Sequence, residues 1–154
     1  MELNTRGRYA VMAMTDLAKH GANGTVALSA IAERQQLSIA YLEQIFVQLR
    51  RSELVESVRG RSGGYKLSRP AASIAIVEIM SAVEEETRMT RCLDVTGDTA
   101  GCMGHSKCLT HGLWHALGDH IRSFLAGVTL QDVVDDVPLR PRPSSAKLAK
   151  AAVA

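Results

Sequence analysis

A mostly α-helical fold with one small β-hairpin and one long, separate helix is predicted by three features of the sequence. Leu42, Ile45, Phe46 and Leu49 fall at i, i+3, i+4 and i+7, a clean apolar stripe of helical period. Between residues 54 and 67 the pattern changes to alternation around the glycine-rich Arg59-Gly60-Arg61-Ser62-Gly63-Gly64, as in two short strands joined by a turn. Further on, Leu113, Leu117, Ile121, Phe124 and Val128 step by 4, 4, 3 and 4, a narrow stripe close to a coiled-coil seam.

The first helix is predicted over residues 5–20, with Tyr9, Ala10, Met12, Ala13 and Leu17 as its small and apolar positions. Gly21 and Ala22-Asn23-Gly24 end it with turn chemistry. Ser29 is placed to cap a second, short helix that buries Ile31, Ala32 and Gln35. Gln36-Leu37-Ser38 makes a tight connection, and Ser38 is placed to cap the third helix, whose outward face carries Tyr41, Glu43, Gln44, Gln48 and Arg51. A short helix, a brief turn and a second amphipathic helix with a polar outer face form a helix-turn-helix pattern. With the following strands, 54–58 and 65–67, the front of the chain reads as a winged helix-turn-helix. Its third helix would enter the major groove of double-stranded DNA, where base edges carry a distinguishing code. Arg59 and Arg61 on the wing would meet phosphates or the neighbouring minor groove.

Pro70 closes this unit, and Ser73 is placed to cap a connecting helix built on Ile76, Val77, Ile79, Met80 and Val83. Glu84-Glu85-Glu86 forms a polar exit. A long helix over 109–128 follows an irregular loop, and its stripe predicts antiparallel homodimerisation, since symmetric helix-turn-helix proteins read paired half-sites. Thr129 is placed to cap a last short helix ending at Val134. The organisation expected is therefore a DNA-binding unit over 1–70, a connecting helix over 71–91, a cysteine loop over 92–108, dimerisation and end helices over 109–136, and a disordered basic tail over 137–154.

Composition bounds the function. The chain has 154 residues, 46% of them hydrophobic, enough to bury a core without disulfide staples. Aromatics at 4% are too sparse for the stacking platforms of single-strand readers. No apolar run reaches membrane-spanning length, and Met1 to Arg8 lacks an apolar signal segment, so a cytoplasmic protein with no membrane partner is expected. Residues 1–70 carry ten Lys/Arg and six Asp/Glu, while 71–136 carry four and ten; a basic front suits a polyanion, while a net of +4 taken alone fits an ordinary mixed, solvated surface better.

All three cysteines lie in the loop: Cys92-x9-Cys102-x5-Cys108-x2-His111. Three thiols and an imidazole are a four-ligand set for a soft or borderline metal, and the spacing suits an iron–sulfur cluster and a structural Cys3His zinc equally. A redox thiol at Cys108, near a helix start, is a third reading. His105, His115 and His120 lie close enough in sequence to replace His111, with His115 and His120 assigned to the helix surface. The chain has no Cys-x-x-Cys pair, and a thiol enzyme or cluster carrier would leave the DNA-binding unit without a role, so no enzyme is expected.

Four stretches carry a family resemblance: Leu3-x2-Arg6-Gly7-Arg8-Tyr9-Ala10-Val11, Ser38-x2-Tyr41-Leu42-Glu43-Gln44, Val58-Arg59-Gly60-x2-Gly63-Gly64-Tyr65 and Lys107-Cys108-Leu109-Thr110-His111. Over residues 1 to about 135 the chain resembles the IscR regulators, winged-helix repressors of bacterial iron and redox metabolism. The resemblance implies a homodimeric transcription factor holding a 2Fe–2S cluster through Cys92, Cys102, Cys108 and His111, loaded by the cluster-assembly machinery. It implies repression of cluster-assembly genes by the loaded form, and binding of a second class of promoter site without the cluster. It assigns DNA contacts to Ser38, Tyr41, Glu43, Gln44 and Arg59, with Glu43 discriminating between the site classes. The chain departs from the pattern in a longer first cysteine gap and in Ala40, where relatives often carry serine. Relatives that sense iron with a 4Fe–4S cluster, or nitric oxide, share this architecture. The nitric-oxide sensors use an acidic ligand near the N-terminus, where this chain has Arg8.

Overall fold

The computed structural model describes residues 5–22, 24–60, 63–83 and 109–139. Arg61, Glu84-Glu85-Glu86, Cys92, Cys102, His105, Cys108 and residues 140–154 of the basic tail lie outside the described residues. In chain order the elements are α1 (Thr5–His20), α2 (Leu28–Gln35), α3 (Ile39–Arg51), β1 (Val55–Val58), β2 (Gly64–Leu67), a 3-10 turn (Ala71–Ser73), α4 (Ile76–Ala82), α5 (His111–Ala126) and α6 (Leu130–Val134).

The first helix is the hub. It packs against α2, α3, α4, α6 and β2, and its buried positions Gly7, Ala10 and Ala13 are small enough to admit several neighbours. Met14 and Leu17 complete that face; Met12 is only half-buried, so the thioether that α1 gives to the core is that of Met14. The third helix buries the whole predicted stripe of Leu42, Ile45, Phe46 and Leu49. Phe46 meets the ring of Tyr65 edge to face, with centroids 4.7 Å apart, which joins α3 to the wing.

Several helix ends differ from the sequence reading. Ser29 lies inside α2, which Ala27 precedes in extended conformation. Ser38 does precede α3, but its hydroxyl makes no capping hydrogen bond. Ser73 is spent on the 3-10 turn, its hydroxyl donating to the Pro70 carbonyl at 2.8 Å. The start of α4 is instead held by Glu78, which accepts from the Ala75 N–H at 2.8 Å. The predicted Thr129 cap is present and reciprocal: Thr129 Oγ1 accepts from the Asp132 N–H, and Asp132 Oδ2 accepts from the Thr129 N–H. Three segments terminate with a non-glycine residue in the left-handed region: Gln36 (φ 53), Glu53 (φ 57) and Asp136 (φ 50). At each, the residue donates three back and its successor donates five back, the paired bonds of a Schellman motif. Without glycine as a marker, these ends have no sequence signature.

The wing pairs Val55 with Leu67, Glu56 with Lys66, Ser57 with Tyr65 and Val58 with Gly64. The expected half-buried alternation is absent from β1, where only Val55 is buried. A third extended segment completes the sheet: Val26 and Tyr65 exchange N–H to carbonyl bonds, both 2.8 Å long. This pairing brings the backbones so close that a Cβ on Gly64 would stand 2.5 Å from the Val26 carbonyl oxygen, so only glycine fits there. Residues 21–24 read as a turn, and a single-residue bridge beyond it is too short to show a strand pattern.

Beyond α5 the chain returns to the front half. Ile76 N–H donates to the Val128 carbonyl at 2.9 Å, and Leu130 N–H donates to the Ile74 carbonyl at 2.8 Å. Val128 and Leu130 are buried in the same core as α1 and α3. The long helix is therefore shorter than predicted, ending at Ala126, and residues 128–134 belong to the packed unit.

One polar group sits inside this apolar assembly. The Asp16 side chain, 1% exposed, receives Arg34 Nε and Nη2 in a forked pair and Gln35 Nε2 at 2.8 Å. Burial pushes its carboxyl up, but the hydrogen bonds and charge of Arg34, the bond from Gln35 and the more distant His20 together hold it below the usual carboxylate value. Arg34→Ala, which leaves that carboxylate buried and half-satisfied, is expected to lower stability by about 2–3 kcal/mol in urea titrations. Because the folded carboxyl titrates low, the advantage of the native chain over Asp16→Asn is full above about pH 4. It shrinks as pH falls through the depressed value.

Candidate nucleic-acid interface

The turn between α2 and α3 is made by Gln36 in the left-handed conformation, with Leu37 N–H bonded to the Ala32 carbonyl at 2.9 Å. It is rigid at both ends, since Asp16 grips Arg34 and Gln35 at the end of α2 and the core grips α3. The stripe of α3 faces inward, so its opposite side is presented to solvent: Ala40, Glu43, Gln44, Val47 and Arg51 are all exposed. Ser38 is exposed just ahead of them. Tyr41 is half-buried, its ring edge-on to Tyr9 of α1 with centroids 5.9 Å apart, so it stands at the margin of the face rather than in its middle.

The wing flanks this helix. Arg59 is exposed immediately after β1, followed by Gly60 at φ +121, and Gly63 N–H closes the tip onto the Gly60 carbonyl at 2.9 Å. Lys66 and Glu56 pair across the strands at 2.9 Å, and Arg50 Nη1 reaches Ser57 Oγ at 3.5 Å. An exposed polar helix face, with arginines at its C-terminal end and on an adjoining hairpin, can lie in a groove while its basic rim meets phosphates.

The cysteine segment is represented here by His111 alone, half-buried as the first residue of α5. Its ring stands 6.3 Å from that of His115, which is exposed and paired with Asp119 at 2.9 Å. His120 is exposed as well. Among the described residues no group of three His, Cys, Asp or Glu side chains gathers as a metal site. The stripe of α5 is covered progressively toward its C-terminal end: Leu113 is 61% exposed, Leu117 and Ile121 are half-buried, and Phe124 is half-buried against the core. Val128, beyond the helix end, is buried within its own chain. Among the described residues no helix is long and apolar enough to cross a membrane.

Sequence reasoning missed two supports of this interface. Tyr9, which backs Tyr41, and Asp16, which positions the end of α2, act over long sequence separations. The only local hint was an acidic residue inside an otherwise apolar helix face.

Three helices with an exposed recognition face and a two-stranded wing define a winged-helix DNA-binding transcriptional regulator. Comparison with known proteins is more specific. Residues 3–136 match the model of Rrf2, described as an iron-dependent transcriptional regulator, and the chain belongs to that family. It is 48% identical to the HTH-type transcriptional regulator IscR of Enterobacter sp. (strain 638), over 88% of this chain and 81% of that one. Its fold is similar to T. potens IscR, with a TM-score of 0.71, 32% identity and 96% of each chain covered. CymR, the global cysteine regulator of B. subtilis, gives a TM-score of 0.72 at 30% identity, covering 90% of this chain and 99% of that one. These relatives are transcriptional regulators, not enzymes.

Arg59→Ala is expected to weaken binding to all duplexes alike and to reduce the slope of log affinity against log salt by about one. Fluorescence anisotropy over a salt series measures both effects.

Proposed function

We propose that the chain is a homodimeric, iron–sulfur-sensing regulator that represses, and at some promoters activates, genes for iron–sulfur cluster assembly according to cluster occupancy. The observation that carries this reading is the order of the parts. A DNA-facing helix and wing come first, then three cysteines, then His111 at the start of a helix whose apolar stripe is exposed at Leu113 and only half-buried at Leu117 and Ile121. The names of the IscR relatives support the same assignment.

The donor set fits the cluster. Cys92, Cys102 and Cys108 supply thiolates, and His111 supplies an imidazole in a partly accessible position at a helix start, where backbone N–H groups favour negative charge. When bound, a 2Fe–2S group would supply a redox-active, oxidant-labile centre whose presence reports iron and sulfide supply. His111 would join that centre to α5, and Leu113, Leu117, Ile121 and Phe124 on the same helix would form the subunit contact. Leu113→Glu is expected to halve the mass in sedimentation equilibrium, because a charge would replace an apolar contact at the dimer seam.

On DNA, Ser38, Tyr41, Glu43 and Gln44 would read base edges while Arg59, with Arg61, meets the backbone. Glu43 accepts from cytosine N4 and repels guanine O6 and N7, which suits it to discriminate between classes of site. The protein purified without oxygen is expected to be red-brown, with about two iron and two acid-labile sulfide per subunit. A colourless protein with one zinc per subunit would replace the sensor reading with a structural Cys3His site.

A further inference from the structure

We infer that Ala40 and Val47 are specificity-determining residues that read thymine through its 5-methyl group. The inference rests on the proposed role of α3 as the DNA-reading helix and adds a class of contact to it. The two residues are seven apart, two turns on one line of the helix, with Glu43 and Gln44 between them. Both are exposed, Val47 by 36%, on the side opposite buried Leu42, Ile45, Phe46 and Leu49. The middle of the outward face is therefore apolar at two points and polar between them, while Ile39, 46% exposed, lies to one side of that line.

A protein partner would need a broader apolar patch than Ala40, Val47 and the laterally placed Ile39, which the Glu43 carboxylate and Gln44 amide interrupt. The flanking charge favours a polyanion, since Arg50 and Arg51 end the helix and Arg59 stands on the wing. In the major groove the one apolar group on a base edge is the thymine methyl, and alanine and small branched side chains suit it. Seven residues rise about 10 Å, or about three base-pair steps, so in a helix laid along the groove the two methyl contacts bracket the bases read by Glu43 and Gln44.

The test uses the full-length protein and duplexes enriched by it from a randomised pool. Each thymine in an enriched duplex is replaced in turn by uracil, which deletes only the methyl group. We expect uracil at two positions about three base pairs apart to weaken binding about fourfold each, the worth of one buried methyl group. Ala40→Ser is expected to abolish one of these penalties and Val47→Ser the other, each variant keeping the melting temperature of the parent. Tight duplex binding with no uracil penalty, or penalties that persist in both variants, overturns the inference and leaves the DNA-binding function standing. Failure of the protein to enrich any duplex at low salt overturns the function and the inference together.

Discussion

The Asp16 carboxylate is the constraint on which the geometry of the DNA-facing surface depends. Its side chain is 1% exposed and, among the described residues, accepts from the fork of Arg34 and the amide of Gln35. Burial of an unpaired carboxylate is too costly to tolerate, so α2 has one acceptable position along α1. Apolar packing is non-directional and leaves a short helix such as α2, with Ile31 as its single buried residue, free to slide. The forked pair removes that freedom. Because the turn at Gln36 follows immediately, the start of α3 inherits the fixed position.

The wing is tied to the same frame by a different device. Phe46 carries α3 onto Tyr65, and the backbone of Tyr65 pairs with Val26 ahead of α2. The hairpin is thus held on one side by an aromatic contact and on the other by two backbone hydrogen bonds, with Gly64 allowing the close approach. Arg59 and Gly60, both exposed, lie beyond these supports. In the proposed function this keeps the base of the wing in register with α3 while Arg59 would meet a phosphate backbone.

The C-terminal helices divide between two roles. The Thr129 cap and the bonds from Ile76 and Leu130 return the chain to the core, so α6 and Val128 stabilise the DNA-binding unit itself. Helix α5 spans the interval with little of its surface covered, since Gly118 is its one buried residue. Under the proposed function its exposed residues, Leu113 foremost, would meet a second copy, and the chain of packing from there to the DNA-facing helix runs from α5 to α4 and from α4 to α3.

Much of the fold was legible because it follows local periodicity. The span of α1, the stripe of α3, the hairpin and the Thr129 cap each depend on residues within a few positions of one another. The outward residues of α3 were legible for the same reason: once the buried stripe is known, a 3.6-residue period dictates the opposite face. Tertiary structure decided what sequence separation conceals. It placed Asp16 against Arg34, Tyr9 behind Tyr41, Val26 beside Tyr65 and Val128 in the core rather than on the α5 stripe. Each of these is a contact between segments that approach only after collapse, so no local pattern of residue types encodes it. The proposed ligand set stands apart from both: it is read from the residue types and spacing of Cys92, Cys102, Cys108 and His111, of which His111, the first residue of α5, lies among the described residues.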